Sequence, residues 1–431
     1  MITPVPCRPR RLAAALAVLL LQVAPAVGAP PDATVLPATT PAAVGLSAER
    51  LARLDRYLDG EIAAGRKAGA VVLIARHGKV AYLKAYGDAD AASHRPMPVD
   101  ALFRIHSMTK PITSVALLTL YEQGRFQLSD PLEKYLPAFT GVKVYKGTAA
   151  DGTIELEDPK RPITIEDVFR HTAGFTYGYF GDTPVDHAYR TAGVGYAEAG
   201  SVGELTDRLA TMPLLFQPGT RWHYGFAHDV QARLVEVLSG MPFDAYCQKT
   251  IFGPLGMKDT VFGVPPALRA RFASIYHPDA AGRLLPGDGM AADGDFYAHA
   301  TGRPFGGTSV ATTARDYGRF AQMLLNGGRL GSVRILSRKT VELMTADHLA
   351  PAIPPVAPGL GYGLGVGVVT SPAQYGQLSS AGEFRWSGYA TTGMFIDPKE
   401  ELVAIVMAQY QPEDYALIEH WTTLVHQAIV D

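Results

Sequence analysis

"FRIHSMTKPITSVALLTLYEQG", Phe103 to Gly124, sets Ser107 and Lys110 one helical turn apart at the mouth of an apolar run. At that spacing both side chains lie on one helix face. A serine hydroxyl becomes a nucleophile near neutral pH only when a neighbour takes its proton. An amine can do so only where burial or nearby groups favour its neutral form. A charged lysine ahead of Pro111 and "ITSVALLTLY" is costly unless it is used, and the dipole of a helix starting here favours negative charge at Ser107. The plain alternative is a polar helix start followed by a solvated lysine. This is the one Ser-x-x-Lys in the chain.

The same stretch divides the chain into regions of different character. Before it, "GLSAERLARLDRYLDGEIAAG" predicts a helix capped by Ser47, with Leu46 and Leu51 as a hydrophobic staple and Leu51, Leu54, Leu58 and Ile62 on one face. "AGAVVLIARHGKVAYLKAYG" then predicts a β-hairpin turning at His77-Gly78. From Ser107 to about Met344 the signals are mostly helical, as in "TIEDVFRHTAG", "AHDVQARLVEVLSG" and "TARDYGRFAQMLLNGG", each with a cap and a glycine stop. Strand signals return in "GYGLGVGVV", "EFRWSGYATTGMFIDP" and "ELVAIVMAQY", with Asp397-Pro398-Lys399 as a turn, before a last helix near Tyr415–Val430. Strands from both chain ends are therefore expected to form one sheet with a helical region inserted between them, an α/β (α+β) architecture.

With 431 residues, 47% of them hydrophobic, the chain has ample material for a core. A formal charge of -2, with both signs scattered, offers no stripe for nucleic acid. A basic start at Arg8, Arg10 and Arg11, the run "LAAALAVLLLQVAPAV" and small residues at Ala26 and Gly28 read as an export signal, cut after Gly28. A retained anchor is the alternative, but Gln22 and Pro25 interrupt a run shorter than the roughly 20 residues a span needs. Residues 29–44 are expected to be a linker or surface arm and 45–431 the folded part, divided into 45–106 with 345–431 and the mainly helical 107–344. The expectation is a periplasmic or extracellular protein with no stable membrane span after cleavage. Cys7 falls in the removed segment, so Cys247 is left unpaired, as a small buried residue.

Two further signals stand apart in the sequence. In "PGTRWHYGFAHDV", Tyr224 precedes a helix expected to be capped near Asp229, and a tyrosine can shuttle a proton if a cation holds its phenolate; it can equally just pack. In "EFRWSGYATTG", Gly388 sits in a probable strand, where a missing side chain admits a ligand close to the backbone or marks a bulge.

In order and spacing, Ser107-Met108-Thr109-Lys110, Tyr224-Gly225-Phe226 and Trp386-Ser387-Gly388 resemble the three motifs of the serine β-lactamase and penicillin-binding-protein superfamily. The likeness is nearest to its class C β-lactamase-like branch and the family VIII carboxylesterases, and "HTAGF", "QPGTRWHY", "IFGPLGMKDT" and "TTARDYGRFAQMLLNGG" extend it over nearly the whole mature chain. The resemblance implies a β-lactamase/DD-peptidase-like fold and an acyl-enzyme on Ser107, with Lys110 and Tyr224 as the proton-transfer pair. It leaves open which of the two is the base. It further implies an oxyanion hole from the backbone N–H groups of Ser107 and Tyr389, a substrate site at Phe226, Trp386, Ser387 and Gly388, and neither metal nor cofactor.

Two departures bear on substrate. Phe226 stands where the family's lactamases carry an amide, and Trp386 where they carry a lysine that attracts a β-lactam's carboxylate. Arg385 is adjacent, but strand neighbours point to opposite faces, so it is not expected to replace that cation. The expected function is a carboxylesterase acting on small or medium acyl esters. The alternatives are a β-lactamase, a D-amino-acid peptidase, or a non-turnover penicillin-recognising sensor. No G-x-S-x-G elbow, H-E-x-x-H or phosphate loop supports another class. His171 is expected to hold a helix end, and His106 is adjacent to the nucleophile without an assigned role.

Overall fold

The computed structural model describes residues 1, 3, 36–287, 297, 303–349 and 351–431. Apart from residues 1 and 3, the expected export signal lies outside them, as does the first part of the expected linker, residues 29–35. Residues 36–44 are not slack: Leu36 and Val44 are buried, and the Val80 strand exchanges hydrogen bonds with Pro37 and Thr39. They form an arm fastened to the sheet edge.

Eight antiparallel strands form the central sheet: β1 (Gly69–Arg76), β2 (Lys79–Asp90), β3 (Arg95–Pro96), β4 (Leu360–Tyr362), β5 (Gly367–Val369), β6 (Phe384–Gly388), β7 (Thr392–Asp397) and β8 (Leu402–Ala408). Their spatial order is β4-β5-β6-β7-β8-β1-β2-β3, so the first strand pairs with the last, Ala70 opposite Ala408 and Arg76 opposite Leu402. The β1–β2 turn falls at His77 and Gly78, both at positive φ as a tight hairpin requires. "GYGLGVGVV", read as one strand, is instead the short β4–β5 hairpin.

Strands β1 and β8 read as unbroken apolar runs because both of their faces are covered. Val72, Ile74, Ala404 and Val406 face helices α1 (Ala48–Ala63) and, at the chain end, α5 (Tyr415–His426), against Leu54, Leu58, Leu417 and Trp421. Val71, Leu73, Val403 and Ile405 face the opposite way, into the core shared with the inserted region. That region is built around α2 (Thr109–Glu122), α3 (Ala227–Ser239) and α4 (Ala314–Leu325). Helix α2 is buried from Thr109 to Leu120, so it is the inner strut of the molecule and not a surface helix. Pro111 fits there because it occupies the first turn, where its missing N–H has no helical acceptor.

The fold aims two elements at one point. A 3-10 turn, His106–Met108, carries Ser107 just ahead of α2. Strand β6 abuts this turn at Gly388, where an added Cβ would lie 2.2 Å from the Ile105 carbonyl oxygen and 2.4 Å from Thr392 Oγ1. Gly388 is therefore a glycine because the main chain before the nucleophile docks on it. That differs from the expected role of admitting a ligand.

Candidate active site

Lys110 is completely buried, and its Nζ donates to Ser107 Oγ at 3.0 Å and to the Gly307 carbonyl at 2.7 Å. The ammonium also lies 4.6 Å from the centre of the Tyr224 ring and 5.6 Å from that of Tyr177. Burial pulls the lysine well below its ordinary pKa, and the charge of Asp229 opposes this in part. The bland reading of Lys110 as solvated is thus replaced by a desolvated amine in contact with the hydroxyl.

Asp229 was expected to cap α3. The helix begins at Ala227 after Phe226, which makes no side-chain cap. The Asp229 carboxylate instead accepts from the Gly307 N–H at 3.0 Å and from the Tyr196 hydroxyl at 2.9 Å, and burial raises its pKa. Gly307 is pinned between aspartate and lysine, and a Cβ there would come 2.7 Å from Asp229 Oδ2. Nothing in the local sequence ties Gly307 to Lys110, so this buried pair was not legible before folding. Asp229→Asn is expected to shift the acid limb of kcat/KM to lower pH by roughly one unit. Removing the charge that favours the ammonium lets Lys110 lose its proton earlier. A pH–rate profile checks this, and an unmoved limb or a shift to higher pH would contradict it.

Tyr224 occupies the loop before α3, within a cage of rings. Trp222 stacks on it at 6.1 Å, Trp386 lies at 5.7 Å and His171 at 4.9 Å. Burial pushes its phenol far above the ordinary value, opposed in part by the polar groups of Ser107 and Trp386 beside it, so the group holds its proton. The structure thus brings Ser107, Lys110 and Tyr224 around one centre.

A cleft of about 530 Å³ opens at that centre, with Ser107, Trp222, Tyr224, Trp386, Ser387 and Tyr389 on its walls. Phe226 is absent from them. Its ring is wholly buried, 4.6 Å from Tyr177 and 5.3 Å from Tyr196. The expectation that it contacts substrate is corrected, because it packs behind the cleft while Trp222 and Phe180 supply the apolar wall. Gly388, buried against Ile105, is likewise not a wall. Arg385 reaches the cleft's margin, but its guanidinium is committed to the Tyr375 hydroxyl at 2.8 Å, Gln377 at 2.9 Å and Thr422 at 3.0 Å, and it pairs with Glu383 at 3.3 Å. Three of its N–H donors are held by neutral acceptors and Nε faces Glu383, so the guanidinium's charge is already paired inside the protein.

His171 lies past the short helix Ile165–Phe169 at φ 58°, and its buried ring rests on Tyr224 and on His228, 4.8 Å away. Desolvation holds both imidazoles neutral. His171 therefore forms the floor under Tyr224, a role its place after a helix did not disclose. His106, at φ 40°, is held by Thr308 at 3.4 Å and Gln411 at 3.1 Å, which fixes the turn bearing the nucleophile. Among the described residues one group could hold a metal ion, Glu383, Asp397 and His426. His426, its pKa raised to about 9 by the two carboxylates despite its burial, and Arg385 already balance both negative charges, so the group reads as an ion-pair network fastening α5 to the sheet.

A Ser-x-x-Lys with its lysine buried at the head of a core helix, a tyrosine from a second segment and an antiparallel strand alongside define a serine hydrolase. The chain belongs to the beta-lactamase family, whose model matches residues 54–427. It is 31% identical over 373 residues to esterase EstB of Burkholderia gladioli, covering 83% of this chain and 90% of that one. It is 28% identical over 406 residues to a putative D-alanyl-D-alanine carboxypeptidase of Escherichia coli, covering 88% and 86%. Among solved structures it is similar to EstCE1, described as a hydrolase with promiscuous acyltransferase activity, with TM-score 0.73, 26% identity, and coverage of 88% of this chain and 99% of the other. No helix among the described residues is long and apolar enough to cross a membrane.

Proposed function

We propose that the protein is a carboxylesterase working through an acyl-enzyme on Ser107. The observation that carries this reading is the wall of the cleft: Trp386 stands beside Tyr224, and Arg385, the one cation on that wall among the described residues, is paired with Glu383 and hydrogen-bonded to three neighbours. Among the described residues an anionic β-lactam would meet no unpaired cation there, whereas an apolar ester would find rings. The likeness to EstB supports the same choice.

In this reading Lys110, driven toward its neutral form, takes the Ser107 proton as Oγ attacks the ester carbonyl. The N–H groups of Ser107 and Tyr389 receive the developing oxyanion. Tyr224, which keeps its proton, donates to the departing alcohol and is restored from the lysine. Water then enters by the reverse route and releases the acid.

Parallel assays with p-nitrophenyl butyrate and nitrocefin test the reading. Ester turnover with little nitrocefin hydrolysis is expected, and the reverse ranking would overturn it. Stable acylation without release would instead point to a sensor.

A further inference from the structure

Glu413 lines the cleft and has no part in the proton relay. It follows β8 and sits beside β6, with the hydroxyls of Ser387 and Tyr415 at its carboxylate. One of its oxygens, Oε1, is sealed from water and has no hydrogen-bond partner among the described residues. No cation among those residues lies within ion-pairing distance of it, since the cleft's arginine is spent on Glu383 and three neutral acceptors. Glu419, on the same margin, adds a second negative charge. A lone buried carboxylate is costly without a counter-charge. Burial accordingly pushes the Glu413 carboxyl up to about 7.

What surrounds it specifies the counter-charge. The same cleft presents the rings of Trp222, Tyr224, Trp386 and Tyr389. Aromatic faces attract a cation through their quadrupoles, best when the cation is large and weakly hydrated, as an alkylammonium is. Among the described residues the one group of side chains spaced to hold a metal ion lies elsewhere, at Glu383, Asp397 and His426. We propose that the cleft takes esters bearing an alkylammonium group, seated against these rings with Glu413 as its counter-ion. Glu413 is then a specificity-determining residue, and the inference rests on the esterase reading above.

Two isosteric pairs test it at about pH 8.5, above the value of about 7 to which burial raises Glu413, so that its carboxylate is ionised. Butyrylcholine against 3,3-dimethylbutyl butyrate puts the charge on the alcohol. The p-nitrophenyl ester of trimethylammonioacetate against that of 3,3-dimethylbutanoate puts it on the acyl group. Allowance is made for the intrinsic reactivity of each ester by dividing by its rate with hydroxide. In at least one pair the cationic member is expected to have a kcat/KM about ten-fold above its neutral partner, and Glu413→Gln is expected to cut that ratio at least five-fold. A ratio near one in both pairs, or a preference that survives in Glu413→Gln, overturns the inference. Competitive inhibition of the parent protein by phenyltrimethylammonium, set against neutral tert-butylbenzene, gives a reading that needs no variant, and equal inhibition would count against the site. If the neutral esters are hydrolysed without cation preference, only this inference fails. If neither neutral ester is hydrolysed, the esterase reading fails and takes the inference with it.

Discussion

Ser107→Ala is expected to leave a folded protein whose esterase rate is lower by roughly ten-thousand-fold or more. The hydroxyl sits on a 3-10 turn at the cleft, only partly buried, and within the described residues it receives Lys110 Nζ and meets Tyr224. Removing one oxygen from a half-buried position creates no cavity of consequence, so stability should change by less than about 1 kcal/mol. The rate collapses for a different reason: among the described residues Ser107 is the hydroxyl to which the desolvated amine of Lys110 is hydrogen-bonded. Labelling with a fluorophosphonate and mass spectrometry of the intact chain checks this alongside turnover. A label that persists in the variant, or activity above one-hundredth of the parent's, would place the nucleophile elsewhere.

Lys110→Met is expected to lower the rate roughly thousand-fold, within the range for a lost general base. Methionine keeps much of the apolar stem and fills the buried slot along α2 without an ammonium. Loss of the charge removes both its desolvation cost and its attraction to Asp229. Asp229 keeps the Gly307 N–H and the Tyr196 hydroxyl as donors, and its carboxyl can hold a proton. The two effects oppose each other, so thermal stability should move by only a few degrees. Activity within ten-fold of the parent would sink the assignment and shift attention to Tyr224. Kinetics with p-nitrophenyl butyrate and a melting curve of the same preparation separate the outcomes.

Much of this organisation was readable in the chain. The apolar runs of Gly69–Arg76 and Leu402–Ala408 were legible as strands of one sheet shared by both chain ends, whereas their direct pairing and the cover on both faces emerged only in the fold. Ser107 and Lys110 could be joined by local geometry alone because three residues separate them. Local pattern failed where a side chain's neighbours come from far along the sequence. Phe226 beside a candidate tyrosine looked like a pocket wall, yet hydrophobicity does not distinguish a ring that faces a cleft from one that backs it. Gly388 showed that something approaches closely but not what, and the answer was the chain itself. Asp229, Gly307 and His171 meet the site only after tertiary packing, and Glu413 lies in a connection with no periodicity to mark it.

The partnership of Gly69–Arg76 with Leu402–Ala408 has a consequence for biogenesis. The sheet cannot close, and the turn bearing Ser107 cannot meet Gly388, until almost the entire polypeptide has been synthesised. Such distant contacts make for slow maturation, and a chain truncated before Leu402 would lose the middle of its scaffold and not merely an edge. The nucleophile's surroundings are therefore completed late, once these distant segments have joined.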